Sequence, residues 1–163
     1  MAYGAVPPTI DEWAAEIGTV NALDLHGLLV ERATRPVDFA EADAAGLGVA
    51  IASSSEAEWV LPLLERIGLH ASFRHVVTTG GELRPKPAPD TYLEACVRLG
   101  VEPAHALAIE DSPHGIAAAK TAGLRCVAVP HELTETLDLS AADLRLGSLA
   151  ECSLADAIAR LAR

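Results

Sequence analysis

From residue 47 onward the chain alternates apolar runs of strand length with segments of helical periodicity. The predicted strands cover residues 47–52, 76–78, 106–109, 125–129 and 144–146. The predicted helices cover residues 56–67, 90–99, 115–122 and 154–161, and a glycine follows each of the first three. Regular alternation of this kind favours a mostly parallel sheet with helices on both faces, because right-handed crossovers leave few other topologies. The sequence therefore predicts an α/β fold with three layers.

Composition and charge indicate which classes of binding partner and which cellular compartment to expect. Only 4% of the 163 residues are aromatic while 50% are hydrophobic, so the core must consist of small and branched aliphatic side chains. A formal net charge of -11 disfavours nucleic acid and anionic membranes as partners. No leader-like start and no run of eighteen apolar residues is present, which predicts a cytoplasmic protein. The three cysteines fall in apolar stretches and are expected to be reduced core thiols.

Two adjacent carboxylates, Glu110 and Asp111, end the apolar run before the predicted helix at 115–122. Open parallel sheets bind ligands outside the carboxyl ends of their strands. Oxygen ligands that leave room for water favour Mg²⁺ over softer ions. The alternative is a solvated helix start, because acidic residues favour a first turn and Ser112 can cap it.

Other polar side chains follow the neighbouring predicted strands. Ser53 and Ser54 come after the run LGVAIA, and Lys86 lies in the loop RPKPAPD. Hydroxyls for phosphate oxygens, an ammonium for developing charge and carboxylates for Mg²⁺ together suit phosphoryl transfer. Taken singly, Ser53 is better interpreted as a helix cap and Lys86 as a solvated loop charge, and only their joint spacing favours a site.

The stretches VAIASSS, KPAPDTYLEACVRLGV and AIEDSPHGIAAAKTAGLRCVAVPHELT resemble three successive motifs of the haloacid dehalogenase (HAD) superfamily. The resemblance is strongest to its β-phosphoglucomutase-like phosphatase branch and covers residues 45–163. It implies a Rossmannoid three-layer α/β/α core. It also implies that Ser53 and Ser54 bind the transferring phosphate, that Lys86 neutralises its charge, and that Glu110 and Asp111 hold Mg²⁺.

That family also uses a nucleophilic Asp after its first strand, with an acid/base Asp two residues later. The nucleophile attacks phosphorus and forms an aspartyl phosphate. One stretch here resembles that motif, ALDLHGLLV, in which Asp24 would be the nucleophile and His26 would replace the acid/base Asp. An imidazole can move a proton near neutral pH. A neutral imidazole does not hold a leaving group as a protonated carboxylate does, so slow turnover is expected of such a site.

A competing alignment assigns the first segment to the helical cap domain that such enzymes insert after their first motif. On this favoured interpretation residues 1–44 are a short cap-like remnant with helices near 9–17, 24–32 and 38–45, and residues 45–163 form the core. Asp24 is then an ordinary cap residue, and the nucleophile lies upstream of Met1 or is missing. An Asn within 19–23 supports this alignment, because a buried central strand is normally an apolar run.

The expected function is Mg²⁺-dependent hydrolysis of a small phosphorylated metabolite, and a sugar phosphate is the expected substrate. One alternative is an inactive HAD-like domain that binds a phosphorylated ligand or a protein partner. Another is a fragment of a β-phosphoglucomutase-type isomerase, which is less favoured because a mutase needs a cap that excludes water. Four histidines show no ligand-like spacing, namely His70, His75, His105 and His131, and His114 is interpreted as a neighbour of the helix start.

Overall fold

The computed structural model describes residues 20–23, 39–66 and 68–162, and its centre is a parallel sheet of six strands. The strands are β1 (Val20–Leu23), β2 (Gly48–Glu56), β3 (His75–Thr79), β4 (Leu107–Glu110), β5 (Arg125–Ala128) and β6 (Leu144–Arg145). The helices are α1 (Phe39–Ala44), α2 (Ala57–Arg66), α3 (Asp90–Leu99), α4 (Pro113–Ala122) and α5 (Leu154–Leu161). Single 3₁₀ turns cover His70–Ser72 and Pro103–His105. The α/β class and the parallel sheet predicted from the alternation are confirmed.

The strand order is β3-β2-β1-β4-β5-β6. Strands β2 and β3 are added on one side of β1, and β4, β5 and β6 are added on its other side. The order reverses between β1 and β4, which lie side by side. At such a switch point the connections leave in opposite directions and open a crevice at the carboxyl ends of the two strands. Open sheets of this kind bind their ligands in that crevice.

Strand β1 corrects the cap interpretation for residues 20–23. Those four residues lie in the centre of the sheet, and the backbone of Asn21 is in register with Val49 on one side and Leu107 on the other. A parallel strand is held by backbone hydrogen bonds to both neighbours, and these do not depend on the polarity of one side chain. Asp24 and His26, and the helices expected at 9–17 and 24–32, lie outside the described residues.

The two faces of the sheet carry side chains of different size. Because successive strand residues point to opposite faces, one face presents small residues and the other large branched ones. The small face consists of Ala50, Ala52, Ala108, Cys126 and Ala128, and it packs against α3 and α4. The large face consists of Val49, Ile51, Leu107, Ile109 and Val127, and it packs with buried residues of α1, α2 and α5. Small side chains on both sides of the first interface allow a close approach of helix and sheet.

Helix α1 belongs with this core by its contacts. The Phe39 ring meets the Phe73 ring edge-on at 5.2 Å between centroids. The Glu41 carboxylate accepts hydrogen bonds from the backbone N–H groups of Leu154 and Ala155 at 3.1 and 3.0 Å, at the start of α5. A carboxylate at a helix N-terminus satisfies amides that have no partner within the helix. Residues 39–44 therefore pack on the sheet domain and do not belong to the cap-like segment 1–44 predicted from the sequence.

Most predicted elements are found within one or two residues of their expected bounds. The helices expected at 90–99 and 154–161 are α3 and α5, and the short helix expected at 38–45 is α1. Helix α2 includes Pro62 and continues through it as one helix. Within the part of the chain that the structure describes, no helix has both the length and the apolar character needed to cross a membrane.

Candidate active site

The end of β2 supplies two serines that are tied into the surrounding loops. Ser53 is buried, with 1% of its surface exposed, and its Oγ accepts a hydrogen bond from the Ser55 N–H at 3.1 Å. The Ser54 Oγ accepts from the backbone N–H of Lys86 at 3.0 Å, and the Ser54 carbonyl accepts from the Thr79 hydroxyl at 2.7 Å. These bonds join the ends of β2 and β3 to the loop that carries Lys86. The two serines therefore have fixed orientations.

Lys86 and Glu110 form a buried ion pair at the centre of the site. The Lys86 Nζ lies 2.6 Å from the Glu110 Oε1, and their side chains are 2% and 0% exposed. The Tyr92 hydroxyl, from the first turn of α3, also donates to the Glu110 Oε1. The ammonium lies 4.8 Å from the centroid of the Tyr92 ring. A buried charge is tolerated when it is paired and hydrogen-bonded in this way, so the three residues hold one another in place.

Glu110 lies directly beneath the first turn of α4. Ser112 caps that helix, and its Oγ accepts from the Gly115 N–H at 3.1 Å. A Cβ added at Gly115 would stand 1.8 Å from the Glu110 Oε2, far inside van der Waals contact. The backbone of α4 can approach the carboxylate this closely only because Gly115 has no side chain. The glycine thus provides the space in which the Lys86–Glu110 pair is buried.

Asp111 has surroundings different from those of its neighbour. It follows β4, its side chain is 10% exposed, and its Oδ2 lies 2.9 Å from the Nε2 of His131. His131 comes from the turn after β5, the strand that pairs with β4. The two adjacent acids therefore face different partners, Glu110 a lysine and a tyrosine, and Asp111 a histidine.

The structure brings five of the residues that were singled out in the sequence to one edge of the sheet, namely Ser53, Ser54, Lys86, Glu110 and Asp111. Sequence reasoning missed two residues that contact them. Tyr92 carried a usable signal, since it is one of only two tyrosines in the chain and lies close to Lys86 in sequence. His131 carried none, because it lies 20 residues from its partner and in a different loop.

The residues present suit a magnesium ion in part. Magnesium is bound through one or two carboxylates, water and substrate phosphate, and Asp111 is an oxygen donor at the carboxyl end of β4. Glu110 lies beside it in sequence, but its Oε1 is committed to Lys86 and Tyr92. No group of three or more His, Cys, Asp or Glu side chains that could hold a metal occurs among residues 20–23, 39–66 and 68–162. Further ligands would come from water, phosphate or the undescribed residue Asp24.

The parallel sheet with its switch point defines a Rossmannoid α/β domain. Hydroxyls, a lysine and carboxylates are gathered at the carboxyl edge of this sheet. The chain belongs to the haloacid dehalogenase-like hydrolase family, whose model matches residues 39–129. That match includes both serines, the buried ion pair and Asp111. The resemblance predicted from the sequence motifs is therefore confirmed at the level of the family.

Three comparisons show how similar individual relatives are. The protein named "Putative phosphatase YhcW" from Bacillus subtilis (strain 168) is 46% identical over 110 residues, which are 68% of this chain and 50% of YhcW. Hexitol phosphatase B from Escherichia coli (strain K12) is 34% identical over 112 residues, again 68% and 50%. The crystal structure of CbbY from Rhodobacter sphaeroides in complex with phosphate gives a TM-score of 0.65 at 36% identity, covering 69% of this chain and 52% of CbbY. The chain thus spans about half the length of these relatives.

Proposed function

We propose that this chain is a Mg²⁺-dependent phosphatase domain that acts on a small phosphorylated metabolite. The observation that carries the proposal is the buried Lys86–Glu110 pair, held between the serines of β2 and Asp111 after β4. A lysine kept in a dry site by its own carboxylate partner is a fixed positive charge, and such charges stabilise the transferring phosphoryl group. Family membership and the relatives that are named phosphatases support the same assignment.

The roles follow from the chemistry of each group. Ser53 and Ser54 would donate hydrogen bonds to oxygens of the phosphoryl group, and the Lys86 ammonium would balance their negative charge. Glu110 sets the position of that ammonium, while Asp111, with Glu110 beside it, would hold Mg²⁺. When bound, the ion would neutralise charge on the phosphoryl oxygens. Each contribution rests on groups already fixed by hydrogen bonds, so little rearrangement is needed during the reaction.

Asp24 is the proposed nucleophile. Its place in the sequence, directly after β1, supports this role. Leu23, the last residue of β1, is in register with Ile51 and Ile109. Ser53 and Asp111 follow Ile51 and Ile109 by two positions each, so β1 ends at the same edge of the sheet as the strands that carry them. A carboxylate oxygen of Asp24 would attack phosphorus, the bond from phosphorus to the ester oxygen would break, and the leaving oxygen would take a proton from the protonated imidazole of His26. Water would then attack the phosphorus of the aspartyl phosphate and give a proton to the now neutral His26, which releases inorganic phosphate and restores both side chains.

A sugar or sugar-alcohol phosphate is the proposed class of substrate. Hexitol phosphatase B supports this choice, with one third of its aligned residues identical to this chain. The net charge of -11 argues against polyanionic substrates such as nucleic acid, whereas a single phosphate can be balanced locally by Lys86 and a metal ion. The cytoplasm is the proposed location, where such metabolites and reduced cysteines occur together.

The test is release of inorganic phosphate from hexitol and aryl phosphates by the full chain, with and without Mg²⁺. We expect slow, Mg²⁺-dependent release that falls by at least about 1000-fold in Asp24→Asn, because the covalent step is lost. In Asp111→Asn the concentration of Mg²⁺ needed for half-maximal rate should rise. Asp43→Asn is the matched control, since Asp43 is an exposed acid on α1 and lies outside the site.

Two results would contradict the proposal. Activity that persists in Asp24→Asn, with circular dichroism showing an intact fold, would mean that Asp24 is not the nucleophile. Binding of phosphate by the parent chain without any release would mean that the domain is an inactive ligand-binding member of the family. The second result would preserve the roles of Ser53, Ser54 and Lys86 in binding while removing the catalytic one.

A further inference from the structure

The turn after β5 holds His131 in a defined position by its backbone. The His131 N–H donates to the Thr134 Oγ1 at 3.0 Å, and the His131 carbonyl accepts from the N–H groups of Thr134 and Glu135, each at 2.8 Å. A turn closed from both ends fixes the direction in which its first side chain leaves the backbone. The direction in which the His131 side chain leaves the backbone is therefore set by the turn.

Hydrogen bonds also determine which ring nitrogen carries the proton. The backbone N–H of Leu133 lies 3.2 Å from the His131 Nδ1, and a backbone N–H can only donate, so Nδ1 is the acceptor. In the neutral ring the proton is then on Nε2, which lies 2.9 Å from the Asp111 Oδ2. His131 accordingly acts as a donor towards Asp111. The pair is largely shielded from water, with side chains 14% and 10% exposed.

We propose that His131 is a positioning residue, which orients the Asp111 carboxylate for Mg²⁺ binding. This inference rests on the proposed function, because it assigns a purpose to Asp111 as a metal ligand. The terminal torsion of an aspartate is broad, so an unsupported carboxylate samples many orientations. A donor on Oδ2 fixes the plane of the group, and partners of this kind commonly change metal affinity by about 10- to 100-fold.

The test measures binding of Mg²⁺ alone to the full chain by isothermal titration calorimetry, without any substrate. His131→Ala should weaken the affinity by about 10- to 100-fold. His131→Gln should restore most of it, because the glutamine amide offers an N–H donor at a similar distance from the backbone. His70→Ala is the matched control, since His70 is an exposed histidine in a 3₁₀ turn and lies outside the site.

A second measurement does not depend on metal binding or on the stability of a variant. Nitrogen-15 NMR of the parent chain should show the His131 ring protonated on Nε2, the nitrogen that faces Asp111. A ring protonated on Nδ1 alone would overturn the proposal, because it could not donate to Asp111.

The calorimetric outcomes separate this inference from the proposed function. If the parent binds Mg²⁺ and His131→Ala binds it equally well, the positioning role is refuted and the phosphatase assignment is unaffected. If Mg²⁺ binds and depends on His131 but no phosphate is released, the positioning role stands and the enzymatic proposal fails. If the parent binds no Mg²⁺, both are overturned.

Discussion

Replacing Gly115 by alanine tests whether the buried ion pair depends on a missing side chain. In an ordinary helix this change stabilises by about 1 kcal/mol, because alanine has the higher helix propensity. Here the new Cβ would lie 1.8, 2.0 and 2.3 Å from the Glu110 Oε2, Cδ and Oε1 atoms. All of the carboxylate stands in the way, so rotating the group would not relieve the clash.

The size of the effect follows from the distances. Ordinary van der Waals contact begins at 3.4 Å, so the carboxylate would have to move by about 1.6 Å. The Lys86 Nζ is 2.6 Å from the Glu110 Oε1, and that movement would break the bond. Overpacking costs about 1–3 kcal/mol, and separating a buried ion pair costs about 3–5 kcal/mol. With the helix-propensity gain and partial relaxation of α4, we expect a net loss of about 2–4 kcal/mol.

The assay is urea unfolding followed by circular dichroism. With a denaturant slope of about 2 kcal/mol per molar urea, the midpoint should fall by about 1–2 M in Gly115→Ala. Gly147→Ala is the matched control, because its added Cβ would lie 3.5 Å from the Glu151 carboxylate and clash with nothing. In a Glu110→Ala background, Gly115→Ala should cost almost nothing, since the obstructing group is gone. An unchanged or higher midpoint in Gly115→Ala alone would refute the reasoning.

Two further predictions concern the stability of the fold at acid pH and the reactivity of the cysteines. The Arg84 side chain and backbone donate to the Asp90 carboxylate, and these bonds lower the pKa of Asp90 to about 2. That stabilisation is present above the unfolded pKa of about 4 and is lost as the pH falls towards about 2. The urea midpoint of the parent should therefore fall between about pH 4 and pH 2, and in Asp90→Asn it should fall less steeply over the same range. An equally steep fall in Asp90→Asn would contradict this prediction. Burial raises the pKa of Cys96 to about 11 and also raises the pKa of Cys126. At pH 8 a disulfide reagent should therefore modify the partly exposed Cys152 first. Cys96 and Cys126 should react at least about 100-fold more slowly until the chain unfolds. Rapid modification of all three in the native chain would show that the small-residue face of the core is open to solvent.

The sequence alone determined the fold class and the edge of the sheet at which the polar residues meet. Apolar runs and helical periodicity are local properties, so helices such as Asp90–Leu99 and Leu154–Leu161 were placed at their observed bounds. Alternation of strand and helix then implies parallel strands, and parallel strands have their carboxyl ends at one edge. Ser53, Lys86 and Asp111 could therefore be assigned to one crevice without coordinates.

Only the tertiary structure decided which of these groups contact each other. The bonds from Lys86, Tyr92 and His131 to the two acids cross 18 to 24 residues of sequence, and each depends on how a helix or loop packs on the sheet. The same holds for strand β1, because pairing with strands on both sides placed a segment that contains Asn21 in the centre of the sheet. Local pattern fixes which elements form and where they end, whereas contacts between elements are decided by packing and backbone pairing across the whole domain.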